Sequence, residues 1–66
     1  MKFAAAVTSV HRYLNGKTEK YNTVTISCEI NKTNDDVHLQ DIVFSAPEEQ
    51  TKFDLDQKMI ITIEPA

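Results

Sequence analysis

Cys28, His11 and His38 are the residues with which this chain could build nucleophilic catalysis. A thiol needs a base within hydrogen-bond reach and a third group to orient that base. A hairpin register set by Asn15-Gly16 puts Cys28 opposite Phe3. His11 then lies on the same face but eight strand positions away, at ~3.3 Å each. No thiol–imidazole pair forms at that separation, so the chain is read as not an enzyme and no catalytic residue is expected. A metal site would draw on Asp35, Asp36, His38 and Asp41. Their spacing fits neither a zinc pattern nor an EF-hand loop. Asp35-Asp36 sit in a run of turn formers, and His38 and Asp41 would face opposite sides of a strand. The single glycine, Gly16, belongs to a hairpin and leaves nothing to cradle a phosphate. No metal, cofactor or small-molecule substrate is expected.

Binding chemistry is better represented. His11, Arg12, Tyr13, Lys17, Lys20 and Tyr21 cluster around one turn. Of these, Arg12, Tyr13, Lys17 and Lys20 would contact a single-stranded nucleic acid, the cations at phosphates and the ring under a base. The charge balance argues against this reading. The chain carries a net charge of −3, and an acidic domain is repelled by a polyanion. The charge is also uneven. Residues 1–33 hold five basic and two acidic side chains, a balance of +3, whereas residues 34–66 hold two basic and eight acidic ones, a balance of −6. Such halves suit internal pairing. Alternatively, the acidic half meets a basic partner or mimics nucleic acid.

The element that positions these groups is a hairpin about Asn15-Gly16. That dipeptide suits a two-residue type I′ turn, in which both central residues need φ > 0. The turn predicts a register in which Arg12 opposes Glu19, Val10 opposes Tyr21 and Val7 opposes Val24. Side chains alternate faces along a strand. One face then gathers Phe3, Val7, Val24, Ile26 and Cys28, with Ile30 beyond, as a core. The other gathers Ala4, Ala6, Thr8, Val10, Tyr21, Thr23, Thr25 and Ser27 and carries no charge. Tyr13 and Tyr21 fall on opposite faces, so they form no common platform. Such a face is expected to be covered by a second layer of the same chain, by a protein partner or by a second copy, as in a homodimer, or to stand open, since threonine and serine tolerate water. This set is the expected protein interface.

Strands are expected over residues 2–14, 17–31, 37–44 and 58–64, with turn formers at 31–36. The apolar pattern of the third strand shifts phase, suggesting a bulge near Gln40-Asp41. Ser45-Ala46-Pro47-Glu48 predicts a capped short helix or 3₁₀ turn. Phe53 and Leu55 should then plug one end of the core. In the last strand Met59, Ile61 and Ile63 share a face, Ile60 takes the other, and Pro65 stops the strand. The expected fold is one all-β domain over residues 1–66, antiparallel in the order β-β-β-(short α)-β. The first three strands form a meander, with strand two central because its apolar run would invite aggregation on an edge. The layout resembles OB-like small barrels, and a half-open barrel or sandwich is equally compatible.

Composition completes the picture. A chain of 66 residues buries only ~60% of its unfolded surface and is marginal alone. One cysteine forms no internal disulfide; Cys28 is read as a small core residue in a reducing, cytoplasmic setting. The apolar stretch after Lys2 is too short for a signal peptide, and no run is long enough to span a membrane. The expected function is a non-enzymatic protein-binding or regulatory module, including self-association through the uncharged face or the last strand. The alternative is single-stranded nucleic-acid binding by the hairpin tip.

Overall fold

The computed structural model describes residues 1–29 and 39–66. The expected loop at 31–36, the first residues of the third strand and His38 lie outside the described residues. The described chain is mostly antiparallel sheet. Its strands are β1 (Lys2–Asn15), β2 (Glu19–Cys28), β3 (Ile42–Pro47) and β4 (Lys58–Thr62), with one 3₁₀ turn at Glu48–Gln50. The spatial order is β3-β2-β1-β4. The sheet therefore stays open, with β3 and β4 on its two edges, and it is neither a barrel nor a closed sandwich. The meander of the first three strands forms as expected, with β2 internal.

The hairpin differs from the expected one in both turn and register. Only Gly16 takes a positive φ, +75°, and Asn15 is the last residue of β1. A type I′ turn needs two positive φ values in succession. Instead Asn15 pairs with Glu19, leaving Gly16, Lys17 and Thr18 as the loop. Arg12 thereby faces Asn22 rather than Glu19, and Val10 faces Val24. The register then shifts once. Val7 pairs with Ile26 and Ser9 with Thr25, so Thr8 is an extra residue, a β-bulge in β1.

The bulge keeps apolar residues on one side. Phe3, Ala5 and Val7 alternate regularly, but the next apolar residue, Val10, comes three positions on rather than two. The inserted residue absorbs that misfit. Val10 packs against a core of Ala5, Val7, Val24 and Ile26, joined by Phe53, Met59 and Ile61. Val7 and Val24 are fully buried even though they are not direct partners. On β4, Met59 and Ile61 reach the core, while Ile60 is 67% exposed on the other side, as the alternation predicts.

Among the described residues, one stretch of chain covers the core. Because β3 and β4 occupy opposite edges, residues 48–57 must cross the sheet to join them. Pro47 enters the 3₁₀ turn with φ −51°, and Glu48 and Glu49 occupy its first turn, where acidic groups are favoured. Neither Ser45 nor Ala46 caps the turn; Pro47 holds the cap position, with no side-chain cap bond. Ser45 is still in β3, and its hydroxyl meets that of Thr23 at 2.8 Å. Thr51 is 1% exposed; its hydroxyl donates to the Pro47 carbonyl at 2.9 Å. The buried Asn22 amide donates to the Thr51 carbonyl at 3.3 Å, fastening the crossover to β2. Phe53 packs edge-on to Phe44, with ring centroids 6.4 Å apart. Leu55, expected beside it in the core, is instead 63% exposed, because the chain turns there. The main-chain amide of Asp54 donates to Gln57 Oε1, and the Gln57 amide donates back to the Asp54 carbonyl. Asp56 takes the left-handed conformation, φ +66°, and its amide donates to the Val7 carbonyl beside the bulge.

Candidate interaction face

The face away from the crossover is the candidate site. Strand pairing places Ala4, Ala6, Tyr21, Thr23, Thr25 and Ser27 there, and the Thr8 hydroxyl reaches it to meet Ser27 Oγ at 3.0 Å. Val10 is the exception among the residues expected on this face. The bulge turns it to the core side, and with it the parity of everything further along β1. His11 and Tyr13 therefore join the uncharged face, opposite Thr23 and Tyr21. His11 and Cys28, expected on one face, point to opposite ones. Cys28 is a free, half-buried thiol on the core side.

The face has three zones. Near the hairpin tip, Tyr13 and Tyr21 pack with ring centroids 5.8 Å apart at 50°, and Pro47 of β3 stands beside Tyr21. The expectation that these rings face apart is corrected by the same bulge. In the middle lies a hydroxyl ladder. The Thr23 and Ser45 hydroxyls pair across β2 and β3, and those of Thr8 and Ser27 pair across β1 and β2. Each pairing ties one hydroxyl donor to a neighbouring side chain, which lowers the polar demand of the zone. Val43 stands next to Thr25 with 60% of its surface exposed. It belongs to this face but was missed from the sequence, because the expected third strand ended at Phe44 and gave no pairing to Thr25.

The third zone is charged. Lys58 of β4 pairs with Ala6, and the Glu29 amide bonds to the Ala4 carbonyl. Their side chains meet over β1 at 2.6 Å. The hydrogen bond to Glu29 and the attraction of its charge raise the Lys58 pKa above the ordinary lysine value. Ala4 and Ala6 thus sit beside an ion pair, and the uncharged area is displaced toward β2 and β3.

The residues expected to contact nucleic acid are not brought together. Arg12 lies on the core side and pairs with Glu48 at 2.8 Å, whereas Tyr13 lies on the other face. Lys20 pairs with Leu14, also on Arg12's side, and Lys17 is in the loop. An open cavity of about 490 Å³ lies between the hairpin turn and the 3₁₀ turn. Its lining includes Glu19, Glu48 and Glu49 against Lys20 alone, so the tip is acidic on that side. Asp35 and Asp36 lie outside the described residues. Among the described residues no group of His, Cys, Asp or Glu could hold a metal ion, and no helix is long and apolar enough to cross a membrane.

The chain matches no protein-family model, no curated protein and no solved structure.

Proposed function

We propose that this chain is a non-enzymatic binding module that docks a partner protein on the uncharged face of its sheet. One contrast carries the reading. The crossover covers the apolar face, whereas no described segment lies over the Thr8, Thr23, Thr25, Ser27 and Val43 side. That surface carries hydroxyls paired across strands, an exposed valine and a tyrosine pair. A partner therefore removes little bound water from polar groups and gains apolar contact, and aromatic residues are enriched at such interfaces. The same reading places the chain in the cytoplasm, where the Cys28 thiol stays reduced.

Affinity capture with the purified chain tests this. Thr25→Lys and Val43→Lys put a charge in the middle of the face and should abolish capture while leaving the circular dichroism spectrum intact. Capture unaffected by both substitutions contradicts the proposal. The nucleic-acid reading gains the shared tyrosine platform but loses Arg12 to Glu48 and to the other face. Oligonucleotide binding that survives Thr25→Lys and fails with Tyr13→Ala would favour it instead.

A further inference from the structure

We infer that a second copy of this chain adds to the sheet through β4, in antiparallel register about a two-fold axis at Ile61. This inference does not depend on what binds the uncharged face. β4 is an edge strand, and its hydrogen-bonding directions follow from its pairing with β1. The Ile63 amide donates to the Met1 carbonyl at 2.8 Å, the Met1 amino group donates to the Ile63 carbonyl, and the Val7 amide donates to the Gln57 carbonyl. The Gln57 carbonyl and the odd-numbered residues from Met59 to Ile63 thus spend their backbone groups on β1, while the Gln57 amide turns back to the Asp54 carbonyl. Those of Lys58, Ile60, Thr62 and Glu64 point away from the sheet, at a free edge among the described residues.

The sequence of this edge complements itself. In the run Lys58-Met-Ile-Ile-Thr-Ile-Glu64, an antiparallel copy centred on Ile61 sets Ile60 against Thr62 of the other chain, and the backbone of Lys58, whose ammonium stays on Glu29, against Glu64. Both pairings join residues whose backbone groups point outward, so the ladder is hydrogen-bonded at these positions. Ile61 meets Ile61, and Met59 meets Ile63, on the core side. Pro65 takes an inward-facing position, where its missing N–H costs the new ladder nothing. Edge strands are commonly guarded by an outward lysine. Here the lysine of β4 turns back over β1 to Glu29 instead. Ile60, 67% exposed, and Ile63, 44% exposed, are left at the edge. The strand is short, so the dimer belongs to the small, weak class of interfaces, with micromolar affinity.

Analytical ultracentrifugation across the micromolar range tests the association on the whole chain. The wild type should dimerise, and Ile60→Lys, at a position exposed in the monomer, should weaken dimerisation at least tenfold with its spectrum unchanged. Cross-linking tests the register. In a Cys28→Ser background, Ile61→Cys should form a disulfide-linked dimer on oxidation, whereas Ile60→Cys should not. A wild type that remains monomeric, a dimer indifferent to Ile60→Lys, or cross-linking by Ile60→Cys in preference to Ile61→Cys overturns the inference.

Discussion

Lys58 and Glu29 meet at 2.6 Å although β1 runs between them, Lys58 standing on β4 and Glu29 just beyond β2. The contact spans three strands because the residues it passes, Ala4 and Ala6, have almost no side chain. It fixes a charged end to a face that carries no charge from Tyr21 to Ser27. Arg12 and Glu48 make a second such span on the opposite side, reaching across β2 from β1 to the 3₁₀ turn. That pair joins the basic half of the chain to the acidic half, as the charge distribution suggested. The Lys58–Glu29 pair runs the other way, with the acid from the first half.

The Lys58 ammonium binds its proton more tightly in the folded chain than in the unfolded one, because Glu29 accepts from it and attracts it. A raised folded pKa stabilises the fold below the ordinary value of 10.5, and that contribution is lost as pH rises through the folded value. Wild-type stability should therefore fall on the alkaline side more steeply than that of Lys58→Met. Urea denaturation at a series of pH values measures the difference. Parallel curves for the two chains would show that the contact contributes nothing.

Val7 and Val24 are both completely buried. Truncating either to alanine removes apolar contact and leaves a gap, costing ~2 kcal/mol. A chain of this size holds roughly 3–10 kcal/mol in total. Either variant should shift the urea midpoint sharply, while Thr25→Ala on the open face should leave it close to wild type.

Gly16 and Asn15 separate the observed turn from the expected one. A methyl group at Gly16 meets no atom within 4 Å, so Gly16→Ala should be penalised only through its φ of +75°, by ~1 kcal/mol. Asn15→Ala should be nearly neutral, because Asn15 has no positive φ. A type I′ turn would penalise both substitutions alike, and thermal denaturation of the two variants distinguishes the cases.

Thr51 is the buried fastening of the crossover. Thr51→Val keeps its shape but deprives the Pro47 carbonyl of its donor, an expected loss of ~1–2 kcal/mol. Amide hydrogen exchange should then quicken around residues 48–53 before it does in β1 and β2. Uniform protection in the variant would show that the Thr51 hydroxyl does not hold the crossover.

Much of this architecture was legible in the residues. The antiparallel meander, the 3₁₀ turn after Pro47, the core side of Met59 and Ile61 and the outward Ile60 all follow from local chemistry that the fold does not override. The misreadings concern how one part acts on another. A uniform alternation was carried from the turn through all of β1, although the three-residue step from Val7 to Val10 already marked a bulge. That step decides the faces of Val10, His11 and Tyr13, and hence whether the tyrosines meet. Thr51 and Asn22 carried no signal, since a buried polar residue bonded to a carbonyl looks in sequence like any surface one. Val43 became part of the face only once β3 was paired to β2.

The extra residue at Thr8 sends apolar side chains to the crossover and leaves the other face free of charge around Thr25. Side-chain nuclear Overhauser contacts in the hairpin test it most directly. Ring-to-ring cross-peaks between Tyr13 and Tyr21, and methyl contacts between Val10 and Val24, are expected. Contacts between Val10 and the Tyr21 ring, with Tyr13 silent toward Tyr21, would contradict it.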